Sequence, residues 1–340
     1  AQWPGFDKSP DTDTQQRYIY STCTASTAMA GAAMAMAGRI YSDYDKDFAD
    51  DCLKRAKAVW KYLSKEKESI YRVDEGQESG SGPYNDTDDA TERCWLAAEL
   101  FRTTGDKKYE NYLMKQQKNT ILQKPSFFTW DNTLALAQFS YGMAANANHD
   151  FQLQVRQKLV DYANDIANTI KNDGYGCSLK AHEYTWASTK NAVTKGDILL
   201  MAYQFEAKPE YIDGALDQIH YMFGRNALNK SFMTGMGENP PEHPHNRIHE
   251  STGAYVPGLV VGGPNAVSGG DPDQTKYIEE YKPAPAKCYL DVLTSWSTNE
   301  YAIDYNGAGI YALSYFMQPD KSITAKDLKL NRSFPKWSFE

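Results

Sequence analysis

Positive charge is what this sequence is short of. Lys and Arg number 36 against 44 Asp and Glu, a formal net charge of −8. A protein that follows a phosphate backbone normally carries a basic face, so the composition argues against nucleic acid as partner. Long apolar runs are also missing. None approaches the ~20 residues of a membrane-spanning helix, and no signal-like stretch opens the sequence. Cysteine is sparse: Cys23, Cys52, Cys94, Cys177 and Cys288 lie far apart without a C-x-x-C pair. An odd, scattered set argues against a disulfide framework or a zinc site and predicts small buried hydrophobes. Convincing alternating strands are absent as well.

What is present is aromatic and helical. Aromatics make up 13%, with 24 Tyr and 7 Trp, and flat rings can stack on sugars as well as fill a core. Helical spacing of apolar residues predicts helices over Thr24–Tyr41, Asp47–Leu63, Asp89–Thr104, Tyr109–Lys115, Asn132–Ala147, Gln152–Lys171, Asn191–Phe205, Glu210–Phe223 and Asn306–Phe316. The connections at 75–89, 174–189, 224–273 and 281–299 are long and rich in Gly, Pro, Ser and Asn. Loops of that length in a compact chain are usually functional. Helical hairpins carrying such loops predict an all-α toroid, with the loops converging on one face. No break in composition demands a second domain, so residues 1–340 read as one.

One loop stands out. Ser231–Arg247 ends Glu242-His-Pro-His-Asn-Arg247, and its glycines and prolines predict an ordered turn presenting His245 and Arg247. Three readings stay open at this level. The segment is a solvated surface turn, or a metal site built from His243, His245 and His249, or a carbohydrate or anion clamp. For the last, Arg247 offers forked donors, and His245 can donate or accept near neutral pH.

A second constellation runs from Tyr289 to Asn306 and holds Asp291, Trp296, Glu300, Asp304 and Tyr305. On position alone Glu300 is a first-turn glutamate that favours a helix dipole, with Asn299 as cap. Its surroundings add weight to a sugar-cleaving site. Glycosidic cleavage needs one carboxylic acid to protonate the leaving oxygen and usually a second carboxylate for water or the anomeric carbon.

Ser231–Arg247 resembles the histidine–arginine signature of glycoside hydrolase family 9 at its defining positions. Tyr289–Gly307 resembles that family's acidic signature, departing only at Gly307. Weaker likenesses run through Arg17-Tyr-Ile and Ser21–Ala28, Ser79–Asp86, Glu92–Leu100, Thr103–Asp106, Trp130-Asp131, Tyr184–Trp186, Phe223–Asn229 and Gly258–Asn265. The resemblance implies an (α/α)6 barrel and secretion. It also implies inverting hydrolysis of β-1,4-glucan in cellulose or related polysaccharides, a chemistry that needs no cofactor. By the same resemblance Glu300 is the general acid, His245 and Arg247 hold the sugar beside the cleavage point, and Asp291 and Tyr305 share the cleft. Trp130 and Trp186 are its aromatic platforms. The acid must stay protonated until it donates, so burial or a carboxylate such as Asp291 has to overcome the helix N-terminus.

Two features depart from the family. The general base is expected in an Asp-x-Gly-Asp motif, which this sequence does not contain. Ala1–Asp13 already resembles a connection into a mid-barrel helix. The expectation is therefore an incomplete barrel whose first helices and base come from a missing N-terminal segment or another chain. A non-catalytic glucan-binding remnant, or a different (α/α) polysaccharide enzyme such as a lyase, is the alternative. The second departure concerns metal. Asp86, Asp88, Asp89 and Glu92 offer the oxygen ligands calcium prefers, and the resemblance implies a structural calcium here, although the usual Asp-Glu pair reads Thr91-Glu92. A solvated acidic helix start is the alternative.

Overall fold

The first helix shows how the fold is made. In α1 (Thr24–Ile40) the buried positions are almost all small: Ala25, Ala28, Gly31, Ala32, Ala35 and Gly38. Such a stripe lets backbones approach, and α1 packs on both α2 (Lys46–Leu63) and α3 (Ala90–Thr104). A Cβ at Gly31 would meet Val59 Cγ1 at 2.7 Å and Leu96 Cδ1 at 3.0 Å. Gly31→Val is accordingly expected to destabilise the protein by about 1–3 kcal/mol through overpacking, read from urea denaturation. An unchanged midpoint would mean that α1 is not held this closely.

The computed structural model describes residues 5, 7–9, 11–16, 21–70 and 86–317. The motif residues Arg17-Tyr-Ile and Ser79–Asn85 lie outside them. After α3 come α4 (Lys107–Lys115), α5 (Lys118–Ile121), α6 (Leu134–Gly142), α7 (His149–Lys171), α8 (Ser188–Tyr203) and α9 (Pro209–Met222). Then follow α10 (Arg247–Thr252), α11 (Pro272–Tyr281), α12 (Trp296–Asn299) and α13 (Ile303–Phe316). Asp45, Asp106 and Asn148 cap α2, α4 and α7 by accepting from Phe48, Lys108 and Phe151 amides, and Gly105 ends α3 at φ 69°. Side chains of this kind satisfy the orphan donors and carbonyls of helix ends. All five cysteines lack a disulfide, and four are buried, as their spacing predicts.

Two kinds of helix result. α2, α4, α7 and α9 are amphipathic, each with one buried face. α1, α3, α6, α8 and α13 lack a polar outer face of that kind, bury charged groups only on α3 (Glu92, Glu99) and α8 (Lys190, Lys195, Asp197), and form a continuous row in the contact order α1–α3–α6–α8–α13. Helices apolar nearly all round belong inside, and amphipathic ones outside. α8 is the extreme case, buried from Ser188 to Ala202. At the ends of the row α1 and α13 share no extensive contact among the described residues. The outward face of α13 carries Ile303 and Ile310, exposed at 95% and 67%, and Met317 beyond its end is exposed at 69%.

The apolar spacing does not predict α5, α10, α11 and α12, and α6 differs in length. α6 is shorter than Asn132–Ala147, because the chain makes a tight pairing at Thr129–Asn132 before it. α11 has no apolar stripe to announce it: only Gln274 is buried, and the helix is set by its Asp271 cap and Pro272 at the first position.

Candidate active site

The site is assembled by backbone pairing between segments distant in sequence. Phe232–Thr234 pairs with Leu259–Val261 through Val261 N to Phe232 O (2.9 Å) and Thr234 N to Leu259 O (2.9 Å). Gly262 N then donates to Glu300 O (2.8 Å), and His245 N donates to Asn299 O (2.9 Å). Glu300 is thus not in a first helical turn with Asn299 as cap. It is the C-cap of the short α12, in extended conformation, and α13 begins three residues later behind Ala302. The helix-dipole penalty expected for it does not arise.

Burial dominates the chemistry of Glu300. It pushes the carboxyl up to about 7, and the exposed Asp304 adds to the rise. The Trp186 indole N–H and Arg247 both favour the carboxylate and oppose the shift, Trp186 the more strongly. The carboxylate that helps keep Glu300 protonated is therefore Asp304, not Asp291. Burial also lowers the pKa of His245, as does Arg247. Its Nδ1 lies 2.6 Å from Leu293 O. That contact requires the proton on Nδ1 and makes Nε2 the ring's acceptor in the neutral form. Asn246 is buried and caps α10, accepting from Ile248 and His249 amides, so the turn presenting His245 and Arg247 is ordered.

Asp291 has another task. Its carboxylate ion-pairs with Lys230 Nζ at 2.9 Å and accepts from the Glu242 and His243 amides, each at 2.9 Å. Asn299 Nδ2 joins it at 3.1 Å. Burial alone would raise its pKa, but Lys230 and the two amides bring it below the usual carboxylate value. Asp291 is thus the anchor of the His245–Arg247 loop. Tyr305 is corrected too. It is only 6% exposed, packed among Val193, Met233 and Val260, which leaves little of its ring for a ligand. Trp130 and Trp186 are exposed at 42% and 40%, as platforms require. Trp186 is followed by Ala187 at φ 65°, a conformation that L residues rarely adopt, and Thr189 N ties the start of α8 to Gly262 O.

The chain belongs to glycosyl hydrolase family 9. The family's description matches residues 1–313. A cellulose 1,4-β-cellobiosidase from Acetivibrio thermocellus is 31% identical over 94% of this chain and 38% of its own length. Endoglucanase D of the same organism is 31% identical over 91% and 47%. The crystal structure of the family 9 endoglucanase J30 superposes with a TM-score of 0.88 at 39% identity, covering 93% of this chain and 58% of that one. The fold is the (α/α)6 barrel type of these neighbours, and the chain spans less than half the length of the two curated relatives.

In this family 9 chain the four carboxylates offered for calcium have protein partners. Among the described residues no three His, Cys, Asp or Glu side chains are gathered to hold a metal ion. Asp88 accepts from Ala90 N, Asp89 pairs with Arg93 at 2.8 Å, and Asp86 accepts from Thr87 N. Glu92 is buried, accepts the Thr91 and Thr133 hydroxyls, and is pushed to about 7 by burial. His243 is exposed and His249 stacks edge-on to Tyr255, so the histidines are not a ligand set. Sequence reasoning assigned no role to Asp304, although it names it within the acidic signature, and missed Lys230, whose link to Asp291 spans 61 residues and leaves no local trace.

Proposed function

We propose that this chain supplies the acid side of a cleft that hydrolyses β-1,4-glucosidic bonds with inversion. One observation carries the reading: a half-buried Glu300 pushed to about 7 and held in backbone register with the His245–Arg247 loop. A carboxyl poised near neutral pH is half protonated under working conditions, which suits a general acid. Glu300 donates its proton to the glycosidic oxygen, and the Trp186 N–H and Arg247 stabilise the carboxylate left behind. Neutral His245 orients a sugar hydroxyl, while Trp130 and Trp186 offer stacking faces.

An inverting enzyme needs a second carboxylate about 6.5–9.5 Å from the acid to activate water. Asp291 is committed to Lys230, and the sequence has no Asp-x-Gly-Asp motif. The base is therefore proposed to come from residues outside this sequence, in keeping with relatives about twice as long or more. The family also favours secretion. The 340-residue chain by itself is expected to bind cellohexaose yet release little or no reducing sugar from carboxymethylcellulose. Full turnover by it would overturn the assignment of the base, and absence of cellohexaose binding would overturn the glucan cleft.

A further inference from the structure

A lysine inside an otherwise buried helix has no role in the chemistry above. Lys190, near the start of α8, is 4% exposed. Its Nζ donates to Phe128 O at 2.8 Å and stands 5.8 Å from the centre of the Phe127 ring. Asp131, Asp304 and the fully buried Asp197 surround it electrostatically, and both Asp197 oxygens lack a hydrogen-bond partner. Burying an ammonium is unfavourable unless such partners compensate it, and an apolar side chain would fill the same space without the penalty. Packing alone does not account for this residue.

What Lys190 holds is informative. Phe128 leads into the Thr129–Asn132 turn, closed by Thr129 N to Asn132 O at 2.9 Å, and that turn carries the exposed Trp130. Lys190 itself lies four residues beyond Trp186. On its other side the turn is tied to α3, since Thr133 N donates to Thr91 Oγ1 and Thr133 Oγ1 to Glu92. One ammonium thus fastens the Trp130 turn to the helix that follows Trp186.

We infer that Lys190 is a positioning residue that fixes the Trp130 platform relative to Trp186 and so sets the affinity for longer glucan chains. The inference rests on the glucan-cleft reading for its ligand but not for its geometry, so two measurements separate them. In the unliganded 340-residue chain, Lys190→Met is expected to accelerate amide exchange in the 127–133 peptide by about tenfold, with helix α7 unchanged as internal control. In a double-mutant cycle read by cellohexaose calorimetry, Lys190→Met should weaken binding several-fold when Trp130 is present and add nothing to Trp130→Ala. A role confined to stability would give additive effects instead.

Lys190→Arg, which keeps a charged donor, should restore most of the affinity. If Lys190→Met does not fold, Lys190→Gln, a shorter neutral donor, undergoes the same two measurements under the same criteria. Unchanged exchange, or equal effects with and without Trp130, overturns the inference. A chain that binds no cellohexaose but shows the faster exchange retains Lys190 as the fastener of the turn while removing the sugar as its purpose.

Discussion

Replacing Glu300 with Gln is expected to do two opposite things, abolishing cleavage while making the protein more stable above neutral pH. In a polypeptide that also contains the water-activating carboxylate, loss of the general acid should reduce hydrolysis of unactivated glucan by about 10²–10⁴. Cellohexaose binding should change little, because Gln keeps the shape and can still accept from the Trp186 indole. The stability effect follows from linkage. The folded carboxyl titrates near 7 against an ordinary value of 4.5, so the folded state favours the proton. The favourable term is complete below pH 4.5 and is lost as pH rises through about 7. Across that window the native protein loses about 3 kcal/mol that a neutral Gln does not lose. Urea denaturation of both proteins at pH 4.5 and pH 8 should give near-equal stabilities at the lower pH and a clear advantage for Glu300→Gln at the higher. Glu92 titrates in the same range but is common to both proteins and cancels. Equal stability differences at the two pH values would mean that Glu300 is not held protonated by its surroundings.

Asp291→Ala should produce the other large effect, in stability first and function second. It leaves Lys230, at 11% side-chain exposure, without its counter-charge and strands the Glu242 and His243 amides. Removing one partner of a buried pair costs about 3–5 kcal/mol. The amides released are those that seat the turn before His245 and Arg247, so cellohexaose affinity should fall with the melting temperature. Asp291→Asn, which keeps one acceptor oxygen, should recover part of both. The pH sign is opposite to that of Glu300. The Asp291 carboxyl is held below its ordinary value, so its stabilisation is present above that value and is lost as pH falls through the lowered one. In the polypeptide that also contains the water-activating carboxylate, an Asp291→Ala protein of native stability and affinity that no longer cleaves would make Asp291 a chemical participant and remove its role as anchor.

These two residues also mark how far the sequence could be read. Helices such as α1 and α2 were legible because their apolar spacing, small residues and terminal caps are local properties. Glu300 and the His245–Arg247 loop were legible as a pair through two signatures whose order and spacing are distinctive. The roles of the carboxylates were not. Asp291 and Glu300 look alike in sequence, and only Lys230 and the loop amides on one side, and burial with Asp304 on the other, separate an ionised anchor from a protonated acid. Tyr305 reads as a cleft aromatic but packs inward, because its place on α13 faces α8 and α9. Lys190 was invisible, since a lysine at a helix start reads as solvated until Phe128 arrives from 62 residues away.

The backbone ladder that joins His245, Asn299, Glu300 and Gly262 has a consequence for how this cleft can vary. Peptide groups, not side chains, set the spacing between the acid and the histidine. Side chains around them can therefore be exchanged over evolutionary time, retuning affinity or preferred glucan, without displacing the proton donor. Insertions and deletions are a different matter. One residue gained or lost at Asn299–Glu300 would break the run in which Asn299 O accepts from His245 N and Glu300 O from Gly262 N, the contacts that place the carboxyl. The site is in this sense tolerant of substitution and intolerant of changes in length.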